Sequence, residues 1–460
     1  MENREHIERL KKLLPEGAVL DAPEDVRGYG YDAQAVEGLP FAVCLPASTA
    51  EVSAVLKYCF SFGIPVTPRG AGSGMTGGSV PLYGGVVLSM QRMNAIESID
   101  EENFVATVQP GVITTALHKA VEAKGLFYPP DPASMAFSTI GGNIAENSGG
   151  MRAVKYGVTA SHVMGLEVVL PDGSVVHTGS KCIKDVVGIN LTPVFVGSEG
   201  LLGVVTRAWL RLIPLPPCKK TARIAFKSMI DAGQAVTDVM HAGVVPLTLE
   251  FMDKVAIGSV ENQLHLGLPL EAGGMLIIEV DGDQEQTERD MARVLEVCRR
   301  FPLLEAHIAA NAEEQADLWR ARRGVAPSLL TLKPRKFNED IVVPRARIPQ
   351  MLEKIADIGR RHGLIIANYG HAGDGNIHVN ILSGNDEAEL EQAHQAIGEV
   401  FAAATELEGR ISGEHGIGLT KKDYIELNVD ETTLAFMRKL KAMLDPKGLL
   451  NPGKVFPEGR

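Results

Sequence analysis

No stretch of the 460-residue chain approaches ~18 uninterrupted apolar residues, so a membrane-spanning helix is not expected. Positive charge is not in excess either. The 45 Lys and Arg stand against 57 Asp and Glu, a net charge of −12, which argues against the basic face that nucleic-acid binding needs. Cysteine is scarce and scattered. Cys44, Cys59, Cys182, Cys218 and Cys298 include no Cys-x-x-Cys pair, which speaks against an iron–sulfur cluster or a thiolate zinc site within the chain. If the chain does redox chemistry, its electrons must leave on another carrier. The opening residues place acids where a secretory signal has basic and apolar regions. A cytoplasmic location is the default expectation, while peripheral attachment to the inner face of a membrane and a homodimer are left open. There is no internal repeat and no low-complexity run. What the chain does have is 45% hydrophobic residues, enough for a folded globular protein, and a length that suggests two or three domains.

Residues 5–14 read as a short amphipathic helix ended by Pro15. A β/α pattern begins near Phe41, with a strand at Phe41–Leu45 and a helix at Glu51–Phe62 that puts Val52, Val55, Leu56 and Cys59 on one face. A strand at Ile64–Thr67 follows, and further strands are expected at Gly85–Ser89, Phe104–Val108 and Val163–Leu170. Pro214-Leu-Pro-Pro217 reads as a domain boundary. Beyond it, strand-like segments (Thr221–Phe226, Thr248–Phe251, Gly274–Val280, Glu305–Ala309) alternate with polar helices such as Gln284–Phe301. That pattern predicts an α+β layer, an antiparallel sheet covered by helices. Helices are expected near Ile348–His362, Glu387–Leu407 and Glu431–Leu444.

The strand at Ile64–Thr67 runs into Pro68, Arg69, Gly70, Ala71, Gly72, Ser73, Gly74, Met75, Thr76, Gly77 and Gly78. A dinucleotide fingerprint would need a helix directly afterwards, and the glycines and proline that follow make one improbable. Successive glycine N–H groups can instead converge on phosphate oxygens; a tight turn without ligand is the plainer alternative. Two more stretches rich in small residues share this half of the chain. One runs from Tyr128 through Pro132 to Ser138-Thr-Ile-Gly-Gly-Asn-Ile-Ala-Glu-Asn147, the other is Gly197-Ser-Glu-Gly-Leu-Leu-Gly203-Val204-Val205. Three such stretches are hard to assign to turns alone.

The segment Tyr369-Gly-His371-Ala-Gly-Asp-Gly-Asn-Ile-His378-Val-Asn380 carries a hairpin signal at Asp374-Gly375. A two-residue turn there pairs 373 with 376, 372 with 377 and 371 with 378. The two histidines would then stand directly opposite on one face, Cβ atoms roughly 5 Å apart. Ser412-Gly-Glu414-His415-Gly-Ile-Gly418 offers a carboxylate among glycines that suggest an irregular backbone. Two imidazoles and one carboxylate with open positions suit Fe(II), Zn or Mn; a polar cross-strand pair without metal is the alternative. His415, beside Glu414, adds a third imidazole, and a histidine's unperturbed pKa near ~6.5 suits it to act as a base.

With these motifs in place, the chain resembles the vanillyl-alcohol-oxidase (PCMH) type FAD fold and, within it, the glycolate oxidase large subunit and D-lactate dehydrogenase group. The resemblance runs from about residue 38 to Pro457. It implies an FAD-binding domain in two pieces, 1–216 and a C-terminal segment 421–460, with an α+β cap domain at 217–420. It implies FAD held by residues 68–74 and 76–78, by Pro132, Ser138, Thr139, Gly141, Gly142, Asn143, Ala145 and Asn147, and by Gly203, Val204, Val205 and Asn451. Residues 68–78 contain no histidine for a covalent link, so noncovalent FAD is expected. It also implies a divalent metal on His371, His378 and Glu414, His415 as base and substrate contact, and Asn380 and Arg322 on the substrate, the arginine being suited to a carboxylate. The implied reaction is oxidation of a small D-2-hydroxy acid, D-lactate or glycolate. Electrons would pass to an electron-transfer flavoprotein, an iron–sulfur subunit or a quinone. The D-2-hydroxyglutarate branch carries a lysine where Asn338 stands here, which argues against a dicarboxylate, although Lys336 is close by. A noncatalytic flavoprotein subunit is the rival from another class. One departure is that relatives often have an aromatic–Asp pair where Ile189-Asn190 stands.

Overall fold

The structure, a computed structural model, describes residues 3–34 and 36–458. The chain forms two units. The first takes the chain up to Gly149, then Val158–Leu215, then the part from Glu414 onward; the second takes Gly150–Gly157 and Pro216–Gly413.

In the first unit, β1 (Val19–Leu20), β2 (Ala42–Cys44), β3 (Val66–Arg69) and β4 (Val86–Ser89) form a sheet in the order β1-β2-β4-β3. The last three are parallel and almost wholly buried, as parallel strands covered on both faces must be. The helix Thr49–Phe62 makes the crossover from β2 to β3. Ser48 caps its start by accepting Glu51 N–H, Gly63 ends it at φ 68°, and it buries Val52, Val55, Leu56 and Cys59. The chain continues through β5 (Ile96–Asp100), β6 (Val105–Val108), β7 (Leu126–Phe127), β8 (Val163–Val169), β9 (Val175–Gly179), β10 (Val204–Arg211) and β11 (Ile213–Pro214). An antiparallel sheet has the order β5-β6-β10-β8-β9, and β7 pairs with β11. Val204, Thr206, Ala208 and Leu210 of β10 face inward with the two-residue period of a strand. No helix follows β3: residues 70–85 run in bends and turns to β4, which excludes the dinucleotide fingerprint.

The second unit is built on seven strands, β12 (Cys218–Phe226), β13 (Thr248–Asp253), β14 (Gly274–Gly282), β15 (Leu303–Ile308), β16 (Arg335–Val342), β17 (Ile365–His371) and β18 (Asn376–Ser383). They form one antiparallel sheet, ordered β15-β12-β14-β13-β17-β18-β16. The helices Lys254–Leu264 and Ala312–Leu329 pack on each other and bury Ile257, Val260, Leu318, Trp319 and Val325 with Met252, Met275, Ile277 and Tyr369 of the sheet. The short stretch 150–157 joins this unit through Lys155 and Tyr156, both bonded to Asp281 on β14. No helix among the described residues is long and apolar enough to cross a membrane.

Candidate active site

In the first unit, a cleft of about 210 Å³ opens between the loop after β3 and the short helix Ile140–Glu146. Of the residues expected to hold FAD, residues 68–74, Gly78, Pro132, Thr139, Gly141, Gly142, Asn143, Ala145, Gly203, Val204, Val205 and Asn451 line it. Thr76, Gly77, Ser138 and Asn147 do not. Thr76 Oγ1 donates to the His415 carbonyl at 3.3 Å, Gly77 lies against Leu419, Ser138 bonds Thr114, and Asn147 accepts from Ala160 N–H at 2.8 Å. These four brace the walls. Gly74 lines the cleft, and a Cβ there would meet only Asp32 Oδ2, at 3.9 Å. Gly141 is needed for close approach, since a Cβ would lie 2.6 Å from Pro110 Cβ. A backbone cradle whose glycines leave the cleft free fits a flat diphosphate-bearing cofactor.

Asn451, at φ 47°, donates its amide to the Gly78 and Glu199 carbonyls at 2.9 and 2.8 Å and accepts from the buried Lys454 Nζ at 2.7 Å. It ties two of the glycine-rich stretches together. Burial pushes the Lys454 amine down to about 8, against the opposing pull of Asp32 and Glu199. Glu199 was not foreseen as a functional residue. Its carboxylate accepts the N–H groups of Ile417 at 2.8 Å and Gly418 at 2.7 Å. Burial pushes this carboxyl above its usual range, although those two bonds and the charges of Lys421 and Lys454 oppose the rise. The loop so held, residues 413–418, has no regular structure, and Glu414 and His415 within it both line the cleft. The irregular backbone expected around Glu414 is present.

The second unit gathers the remaining candidates on one face of its sheet. The hairpin register differs from expectation. His371 stands opposite Asn376, and His378 opposite Tyr369. The turn holds four residues, Ala372–Gly375, closed by Asp374 and Gly375 N–H groups on the His371 carbonyl, with Gly375 at φ 93°. His371 and His378 are therefore diagonal neighbours rather than a direct pair. A shift of two residues keeps the pleat's parity, so both remain on one face, with ring centroids 5.2 Å apart at 83°.

Around these rings lies a polar network that the sequence did not announce. Glu250 on β13 is fully buried opposite His371. Its carboxylate accepts His371 Nδ1–H at 2.6 Å and Arg322 Nε–H at 2.6 Å. Burial pushes the Glu250 carboxyl up, but the His371 and Arg322 side chains that face it outweigh that and hold the group below its usual range. Arg322 also lies over the Tyr369 ring at 4.6 Å. Asn380 is fully buried opposite Asn338. It donates to the His378 carbonyl at 3.0 Å, and its Oδ1 has no hydrogen-bond partner among the described residues. Asp340 stands opposite His378, and it accepts the Gly413 N–H through both its carbonyl and its side chain, at 2.8 and 2.9 Å. Glu414 is the next residue in the chain.

Residues 215–455 match the family described as FAD linked oxidases, C-terminal domain, and residues 40–179 match an FAD binding domain. The glycolate oxidase subunit GlcD of Bacillus subtilis (strain 168) is 46% identical over 430 residues, 93% of this chain and 92% of that protein. The D-lactate dehydrogenase of Anaerostipes hadrus is 36% identical over 465 residues, 98% of this chain and 97% of that one. The crystal structure of p-cresol methylhydroxylase with substrate bound matches with a TM-score of 0.81 over 98% of this chain and 96% of that one, at 18% identity.

Proposed function

The chain belongs to the FAD-linked oxidase family and has the vanillyl-alcohol-oxidase (PCMH) type fold; from that premise we propose that this FAD-dependent oxidoreductase oxidises a small D-2-hydroxy acid, glycolate or D-lactate, to the 2-oxo acid. The observation that carries the reading is the polar face of the seven-stranded sheet. A buried arginine and two imidazoles on one surface are the groups a 2-hydroxy acid and a chelated cation require. The names of the relatives, one acting on glycolate and one on D-lactate, point the same way.

Arg322 engages Glu250 through Nε, which leaves both Nη groups for the substrate carboxylate in a bidentate grip. His371, His378 and Glu414 hold a divalent cation, Fe, Zn or Mn. The donor set fits: a carboxylate on Nδ1 fixes His371 in the tautomer that presents Nε2, the usual outer partner of a metal-bound imidazole. Such a cation, when bound, supplies Lewis acidity to the substrate hydroxyl. Asn380 contacts the substrate, and His415 takes the hydroxyl proton. Bound FAD supplies the acceptor for the hydride that leaves Cα. The electrons then pass to an electron-transfer flavoprotein, an iron–sulfur subunit or a quinone, a step supported by the dispersed, unpaired cysteines and by the word subunit in the relative's name.

Lys336 favours a second reading. It shares the sheet face of Asn338, and its Nζ reaches the Ala326 carbonyl at 3.3 Å, one helical turn beyond Arg322. A second carboxylate, as in D-2-hydroxyglutarate, would find a cation there. Anaerobic mixing of the FAD-loaded protein with glycolate, D-lactate, L-lactate and D-2-hydroxyglutarate separates the readings. Flavin bleaching is expected with a small D acid and is expected to disappear after chelation. If none of the acids bleaches the metal-replete protein, the proposal fails.

A further inference from the structure

We propose that Glu250 is a positioning residue that joins the carboxylate-gripping arginine and one metal-holding histidine into a single rigid element; the inference rests on the roles proposed above for Arg322 and His371. Glu250 has no solvent exposure, and its two oxygens divide between two partners, each at 2.6 Å. A carboxylate held so deep is costly unless each oxygen is satisfied by charge-assisted bonds, and here both are. What each bond leaves over matters most. With its proton on Nδ1, His371 carries its lone pair on Nε2. With Nε engaged, Arg322 presents an edge of two Nη groups, which make no hydrogen bond among the described residues. Tyr369, opposite His378, closes the unit by lying under the guanidinium at 4.6 Å. One acidic side chain thereby sets both the atom that meets the metal and the edge that meets the substrate.

Glu250→Gln tests this in the metal- and FAD-loaded protein. The amide has one acceptor oxygen. If that oxygen stays on Arg322, its NH2 faces His371 Nδ1 and favours the tautomer with the proton on Nε2. If it stays on His371, the NH2 opposes the Arg322 N–H. Two measurements follow: metal dissociation, read by competition with a chromophoric chelator, and the split of KM and kcat for glycolate and D-lactate. We expect metal affinity to fall about 10- to 100-fold, KM to rise, and Glu250→Asp to restore part of both by returning two acceptor oxygens. Metal affinity and KM both unchanged in Glu250→Gln would overturn the proposal, as would an Asp variant no better than Gln. Should both variants lose their thermal transition, the wild-type protein labelled with 15N-histidine serves. A ring N–H on His371 Nδ1, identified by its loss in His371→Ala, supports the proposal, and a proton on Nε2 overturns it. Failure of the substrate proposal would appear separately. In that case no hydroxy acid would bleach the wild-type flavin, while the chelator competition would still report on Glu250.

Discussion

Replacing Glu199 with Gln should loosen the loop that carries Glu414 and His415 without unfolding the protein. The carboxylate accepts Ile417 N–H at 2.8 Å and Gly418 N–H at 2.7 Å. A glutamine can accept only one of them, and its NH2 then points at the other. One charge-assisted bond is lost, about 1.5–3 kcal/mol, and in the same event a buried N–H goes unmatched, about 1–3 kcal/mol. These two figures overlap. Part of the loss is offset because burial already disfavours the ionised carboxyl. A net weakening of about 1–3 kcal/mol remains, which corresponds to roughly 5- to 150-fold more frequent opening of the loop. Hydrogen–deuterium exchange of a peptide covering 413–420 reads this directly. Protection at Ile417 and Gly418 should fall by about that factor, while the amides of β13 keep theirs. Because His415 lies two residues from the anchor, kcat/KM should fall about 10- to 100-fold from misplacement alone. Unchanged protection at Ile417 and Gly418 would refute the reasoning, whatever the activity did.

Other outcomes follow from single contacts. Gly74→Val should leave thermal stability intact and weaken FAD binding, because it adds bulk to the cleft lining where a Cβ meets no close neighbour; Gly141→Ala should instead destabilise by about 1–3 kcal/mol through its collision with Pro110. The flavin-to-protein absorbance ratio and the melting curve separate the two. His378→Ala should lower bound metal, measured by elemental analysis, with FAD content unchanged; equal metal in both proteins would remove His378 from the donor set. Burial pushes the Asp253 carboxyl up to about 6, although it accepts Ala256 and Asn368 N–H groups at 2.9 and 2.6 Å. Between its unfolded value near ~3.9 and about 6, the folded protein binds the extra proton. Asp253 therefore makes stability fall as pH rises through that window, by no more than about 1.4 kcal/mol per pH unit. Urea titrations at pH 4.5 and 6.5 should show that contribution in the wild type and its absence in Asp253→Asn.

The parts of this molecule that could be read from the sequence are those where backbone chemistry dictates residue type. Residues 68–78 need glycines where φ turns positive, as at Gly72 and Gly77, and glycines also rule out the helix a dinucleotide fold requires. The histidine hairpin was legible in face but not in register. In sequence Asp374-Gly375 looks like the whole turn, whereas Ala372 and Gly373 also belong to it, and both rings share a face because the shift is an even number of residues. The strand β16 was not legible at all. Its sequence, Arg-Lys-Phe-Asn-Glu-Asp-Ile-Val, lacks apolar alternation because Lys336, Asn338 and Asp340 occupy the polar face beside β18 while Glu339 interrupts the other.

Glu250 had a signal that pattern reading tends to pass over: an acid between Leu249 and Phe251, within a strand that is buried from Thr248 to Met252. An acid in that place is tolerable only if fixed partners meet both its oxygens, and those partners, Arg322 and His371, lie 72 and 121 residues away in the chain. No local window contains them. The same holds for Glu199 and the loop it anchors, separated by 218 residues. Glu250 breaks a hydrophobic strand where the proposed chemistry needs charge, whereas Glu199 sits in a Gly-Ser-Glu-Gly turn. An isolated acid in a predicted buried strand is therefore better taken as a pointer to a distant arginine, histidine or unpaired backbone N–H than as a reason to reject the strand.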